Sequence, residues 1–154
     1  MRKGARFGQR SELVMSTDLK DHDRLFKELL ETFFSEFMEL FFPEAYAFIN
    51  LNHLKFLSQE VFTDVTVGEK RKIDILVETK LKEENQLILV HIEPQAYVQK
   101  EFAERMFVYF SRLYEKYRCK IIPIAIFSYD KIRNEPDKFT LGFSFLDVLQ
   151  FNFY

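Results

Sequence analysis

The chain has 154 residues, 47% hydrophobic and 30% charged, and its 19 Phe and 7 Tyr offer far more apolar area than a solvated tail carries, so most of it reads as one globular domain with a single core. Charges cut the apolar runs before about 20 residues, so no membrane span is expected. No secretory pattern opens the chain, and the lone Cys119 excludes an internal disulfide or a multi-cysteine metal cluster, which makes the cytosol the expected compartment.

The net charge of −2 argues against coating nucleic acid by bulk electrostatics but leaves room for a local basic strip. Charge is segregated along the chain. Residues 1–20 hold Arg2, Lys3, Arg6, Arg10 and Lys20 against Glu12 and Asp18, whereas 21–48 hold seven acids against Arg24 and Lys27. Residues 1–20 are expected to be a flexible basic arm or extension. Met15 begins an ordinary protein start, which favours an extension over 1–14 rather than a DNA-binding arm. Residues 21–154 are expected to form one domain whose C-terminal end, still apolar at Phe151–Tyr154, either closes a sheet edge or reflects a truncation.

From about residue 22 the spacing predicts a helix, capped by Asp21, with Asp23 at its positive end. Leu25, Phe26, Leu29, Leu30, Phe33, Phe34, Phe37, Met38 and Phe41 recur every three or four positions, and Pro43 is expected to end it. Asn50 and Asn52 predict a turn and then a short helix. Val61, Phe62, Val65 and Val67 read as a strand running to a Gly68 turn. Lys72–Lys80 alternates as a second strand, with Ile73, Ile75 and Val77 on one face and Asp74, Leu76 and Glu78 on the other. A solvated turn at Lys82–Asn85 leads to a dense apolar strand from Leu87 that ends in His91-Ile92-Glu93-Pro94-Gln95. A second long helix over about 99–118 has Phe102, Met106, Phe110, Leu113 and Tyr117 as its apolar stripe. Buried strand chemistry comes next at Ile121–Phe127, then an alternating strand at Phe139–Phe145. A long helix between strands predicts a crossover and at least one parallel pair, hence an α/β fold.

Several chemistries are excluded. Neither G-x-x-x-x-G-K-[ST] nor G-x-G-x-x-G is present, nor H-E-x-x-H, nor G-x-S-x-G. His91-Ile92-Glu93 matches the H-x-E of zinc deaminases, but one cysteine cannot complete their P-C-x-x-C. Cys119, between Arg118 and Lys120, reads as a bystander thiol rather than a nucleophile.

One constellation survives. If the strands on either side of 81–86 form a hairpin, Asp74 lies near the position opposite Glu93, with Gln95 on the face of Glu93. Two adjacent carboxylates repel, and a divalent cation relieves that: Mg²⁺ (or Mn²⁺) takes one or two carboxylates, a backbone carbonyl such as that of Pro94, and waters. The alternative is that both acids face solvent, paired with Lys72 or Lys80. Arg105, Tyr109, Arg112 and Lys116 recur at spacings of four, three and four on the second helix. They read either as a basic stripe for phosphates or as a solvated face paired with Glu101, Glu104 and Glu115.

Asp74, then a hairpin, then an apolar strand ending in Glu-x-Gln resembles the PD-(D/E)XK nuclease superfamily, and within it the recombination-promoting nuclease, YhgA-like transposase branch. The segments carrying the resemblance are HDRLFKELLETFF (22–34), KIDILVETK (72–80), LILVHIEPQ (87–95), FAERMFVYFSRLYEKY (102–117) and IIPIAIFSYD (121–130). The resemblance implies a restriction-endonuclease-like core, αβββαβ, with a mixed central sheet flanked by two long helices. It implies Mg²⁺-dependent hydrolysis of DNA phosphodiesters, with DNA as partner and a homodimer among the allowed assemblies. By the same resemblance Asp74 and Glu93 are metal ligands, and Gln95 stands at the superfamily's lysine position without a lysine's charge. Glu28 corresponds to the helix carboxylate that some members place near the metal, or else is a solvated residue. Arg105 and Tyr109 face the site. A catalytically inactive member serving as a nucleic-acid-binding or protein-interaction module is the alternative, and DNA is not distinguished from RNA.

Overall fold

A computed structural model describes residues 24–57, 61–63, 70–128 and 134–154. The described residues divide between Tyr46 and Ala47 into two compact units. The expected arm over 1–20, the Asp21 cap, Val65 and the Gly68 turn lie outside the described residues.

The first unit is a helical path with two breaks, where the sequence pattern reads as one helix. Helix α1 (24–32) passes at Phe33 into α2 (Phe34–Phe41). The Thr32 hydroxyl donates to the Glu28 carbonyl at 2.8 Å beside the break, a local competition that bends helices. α2 stops just before Pro43, as expected, but Pro43 does not end the helical path. It opens α3 (Pro43–Phe48), at a first-turn position where its missing N–H has no helical partner to lose. Leu30, Phe34 and Met38, four apart, are buried, while Leu25, Leu29, Phe33 and Phe41 are half exposed or more, so the buried row is narrower than the apolar pattern.

In the second unit the Asn50–Asn52 turn forms as expected, with the Asn52 N–H donating to Asn50 Oδ1 at 3.0 Å. The helix precedes this turn rather than succeeding it. The turn leads instead into β1 (Lys55–Phe56), drawn into extended pairing with residues 77 and 78. The stretch expected as one strand over Lys72–Lys80 divides at Ile73–Asp74. β2 (Val61–Thr63) and β3 (Lys70–Lys72) form a separate antiparallel pair, and β4 (Ile75–Lys80) belongs to the main sheet.

That sheet contains β1 and β4 together with β5 (Leu87–Gln95) and β6 (Lys120–Phe127), in the order β1-β4-β5-β6. β1 and β4, and β4 and β5, are antiparallel; β5 and β6 are parallel, joined through helix α4 (Phe102–Tyr117). The expected α/β fold with a helical crossover between parallel strands is therefore present. The turn between β4 and β5 closes with Asn85 at φ 48°, a conformation asparagine tolerates. β4 and β5 are interior strands, so their burial does not alternate: Ile75, Leu76, Val77 and Thr79 are all buried, as is β5 from Ile88 to Glu93.

Helix α4 packs on the sheet face that carries Leu76 and Leu89. Tyr109 and Leu113 join Ile73, Leu76 and Leu89 in one cluster, and Phe102 and Met106 join Phe151 and Phe153 in another. The helix stops at Arg118, left-handed at φ 50°, whose N–H returns to the Tyr114 carbonyl. The final alternating strand has a partner that the pattern hid: β7 (Lys138–Phe143) pairs antiparallel with β8 (Leu146–Asn152). The register shifts at Gly142, where an added Cβ would meet the Leu146 carbonyl at 3.0 Å. After β8 the chain lies along the β6 edge, with the Tyr154 N–H donating to the Pro123 carbonyl and the Ala125 N–H to the Tyr154 carbonyl.

Candidate active site

β4 and β5 pair from Ile75 opposite Ile92 outward, and continuing that register sets Asp74 opposite Glu93. Opposite residues of an antiparallel pair share a face, so the two acids lie on the same side of the sheet. The Asp74 N–H donates to Glu93 Oε1 at 3.2 Å. Glu93 is not a solvent-facing strand acid, since only 2% of it is exposed. Its Oε1 takes a second donor, the His91 Nε2 at 2.9 Å, which assigns the imidazole proton to that nitrogen. Oε2 accepts neither of these bonds. Asp74 itself is half-buried, at the bend directly before β4.

His91 is the residue that sequence reasoning passed over. It is fully buried, its ring meets the Tyr109 ring edge-on at 5.9 Å, and its Nδ1 has no hydrogen-bond partner among the described residues. The signal was available: His91, Glu93 and Gln95 recur with period two in an otherwise apolar central strand, so one face carries three polar groups in a row.

Gln95 is 3% exposed and fully engaged. Its Nε2 donates to the Tyr97 carbonyl, and its Oε1 accepts from the Arg105 Nη2 at 2.6 Å. Pro94 pairs in register with Ile126 of β6. The polar row thus ends at the carboxyl end of the parallel pair, where open α/β sheets place ligands, and the first turn of α4 stands beside it.

The four α4 residues do not form one exposed stripe. Tyr109 is buried, because its helical angle lies next to that of Phe102, Met106 and Leu113, and Arg105 reaches Gln95. Arg112 and Lys116 are exposed; Arg112 lies 3.5 Å from Glu115, and the Lys116 ammonium sits over the Tyr117 ring at 5.2 Å. Glu28 is in the first unit, exposed and ion-paired with Arg24 at 3.2 Å, whereas Asp74, Glu93 and Gln95 belong to the second.

A family model described as "Putative transposase, YhgA-like" matches residues 20–149. The chain belongs to this YhgA-like transposase family. The match encloses the Asp74–Glu93 pair, Gln95 and all of α4, so the polar row is part of what the YhgA-like family model spans. No curated protein and no solved structure matches the chain.

Among the described residues of this YhgA-like chain, no group of three or more His, Cys, Asp or Glu side chains is arranged to hold a metal ion. Cys119 packs against the Ile73–Leu113 cluster, where burial first and the Glu78 carboxylate second push its thiol above the ordinary range, against a smaller lowering by a backbone hydrogen bond. A protonated thiol is a poor nucleophile.

Proposed function

We propose that this chain is a metal-dependent endodeoxyribonuclease of the PD-(D/E)XK superfamily, acting in recombination or transposition. The observation that carries this reading is the buried Glu93, opposite Asp74 across β4 and β5 and on one strand face with Gln95. Membership of a transposase family supports action on DNA. The element order of helix, β1, β4, β5, α4, β6 supports a restriction-endonuclease-like core.

The donor set fits a hard cation: two carboxylates, one of them part-exposed, and the Pro94 carbonyl on the same strand end. Asp74, Glu93 and Pro94 would hold Mg²⁺ or Mn²⁺, which when bound polarises a phosphate oxygen and lowers the pKa of a water. The chain's own residues set the geometry. His91 and the Asp74 N–H fix one oxygen of Glu93, which restricts rotation of the carboxylate before any ligand arrives. The net reaction adds one water across one P–O bond. The water oxygen bonds to phosphorus, the bond to the leaving sugar oxygen breaks, that oxygen takes a proton, and a phosphomonoester and an alcohol result.

Incubation of the purified protein with supercoiled plasmid tests the reading. Nicking is expected with Mg²⁺ or Mn²⁺ and is expected to stop with chelator. Asp74→Asn and Glu93→Gln are each expected to abolish it while circular dichroism and Tm show a folded protein. Cleavage that persists in both variants would remove the assignment. Gln95, which lacks a lysine's charge, favours the second reading of a non-catalytic DNA-binding member. That reading predicts DNA binding without cleavage under any of these metals.

A further inference from the structure

We propose that Arg105 carries the positive charge that Gln95 lacks, and that the Gln95–Arg105 pair acts as one unit whose guanidinium contacts the phosphate of bound DNA. The inference rests on the nuclease reading for its catalytic half and stands apart from it for its binding half.

Gln95 is unsuited to hold a phosphate or a water itself. Its amide N–H₂ goes to the Tyr97 carbonyl and its oxygen to Arg105, and it is almost wholly buried. What it does is aim a cation. The Arg105 Nη2 lies 2.6 Å from Gln95 Oε1, Nη1 donates to Gln99 Oε1, and the guanidinium carbon stands 4.9 Å from the centre of the Phe102 ring. Two amide oxygens and an aromatic face hold the planar fork in one orientation, with Gln95 on β5 and Phe102 on α4. None of these partners neutralises it.

The charge is left without a counter-ion. Among the described residues no carboxylate forms an ion pair with Arg105, and its Nε is buried with no hydrogen-bond partner. Part-burying a guanidinium costs free energy that an opposite charge normally offsets, and an orphaned buried N–H adds to that cost. An anion at this position relieves both. A phosphate oxygen is the anion the site is built to meet, because arginine presents parallel N–H groups that match it. Arginine also stays charged across the whole working pH range. Where a lysine would place its ammonium from the strand, this chain places a guanidinium from the neighbouring helix and uses the strand glutamine to hold it.

Moving the charge tests this. Binding of a fluorescent duplex oligonucleotide is measured by anisotropy in Ca²⁺, and single-turnover cleavage in Mg²⁺. Arg105→Gln is expected to weaken binding about tenfold and to slow cleavage roughly a hundredfold or more. Arg105→Lys keeps the charge but loses the fork, and is expected to fall between. Gln95→Lys alone is expected to weaken binding, because it sets two cations against each other. The double variant Gln95→Lys with Arg105→Gln is expected to bind and cleave better than either single variant, a non-additivity that a packing role for Arg105 does not produce.

Thermal melts confirm that each protein is folded. Unchanged binding in Arg105→Gln, or a double variant no better than Arg105→Gln, overturns the proposal. If the parent protein binds DNA but does not cleave it with any of the metals, the nuclease reading fails and the binding arm alone decides the role of Arg105. A parent that does not bind DNA overturns both.

Discussion

A carboxylate buried in the middle of a sheet needs donors, and Glu93 takes its two on a single oxygen. His91→Leu removes one of them while keeping an apolar side chain in the pocket against Tyr109. The loss is expected to be about 1–3 kcal/mol in urea unfolding, the cost of under-satisfying a buried charged acceptor. His91→Gln, which can still donate, is expected to recover part of it, and equal losses in the two variants would assign the effect to packing. Cys119 makes a contrasting case. Its thiol is raised above the usual value, so in the folded protein it is expected to react slowly with a disulfide reagent at neutral pH and fast once the chain is unfolded. The sign for stability is then fixed: Cys119 contributes fully below the ordinary thiol value near 8.5, and the contribution falls as pH rises from there toward the higher folded value, because the unfolded chain ionises first. Cys119→Ala is expected to leave cleavage unchanged and to flatten that alkaline decline. At this scale Glu93 and Gln95 were legible in the sequence, because strand alternation alone puts them on one face. The bond from Arg105 to Gln95 was not, since it depends on how a helix lands on a sheet, and no periodicity encodes that.

At the scale of elements, local pattern and tertiary pairing disagree in instructive places. Lys72–Lys80 alternates well enough to read as one strand, yet the chain leaves one sheet at Lys72 and enters another at Ile75, and the bend between them is where Asp74 stands. The candidate site residue sits at the interruption, which a strand-length argument smooths over. β8 was hidden for another reason: most of its residues are exposed, and Asp147, Gln150 and Asn152 interrupt its apolar run. The long crossover helix was legible to within a few residues, because Phe102, Met106 and Leu113 keep one face of it in the core. Its end carries a cost that can be removed. Arg118 adopts a left-handed conformation that a side chain disfavours by about 1–2 kcal/mol. The stacking of its guanidinium over Tyr114, at 5.7 Å, returns part of this. Arg118→Gly is expected to stabilise the protein by up to about 1 kcal/mol. Differential scanning calorimetry would show a Tm higher by a few degrees, and a lower Tm would mean that the stacking outweighs the strain.

Across the whole molecule the net charge of −2 conceals its distribution, for Ala47–Tyr154 carries equal numbers of basic and acidic residues and the excess acid lies before it. The unit holding the Asp74–Glu93 pair has no bulk charge with which to attract DNA, so the proposed reading requires affinity to come from a few placed cations. No described helix is long and apolar enough to cross a membrane. In the proposed reading a cation would be held by Asp74 and Glu93 of the folded chain alone, which links metal binding to unfolding. At a hundredfold excess over its Kd a ligand that binds only the folded state adds about 2.7 kcal/mol. For a protein of this size that corresponds to a rise in Tm of roughly 5–10 °C. Mg²⁺ and Mn²⁺ are expected to produce such a rise in the parent protein, and Glu93→Gln to abolish it. Ca²⁺ is expected to raise Tm as well without supporting cleavage, which separates occupancy of the site from chemistry within it. A Tm indifferent to all three cations would leave the carboxylate pair without a metal, and a cleavage activity found in their absence would have to be explained by other residues.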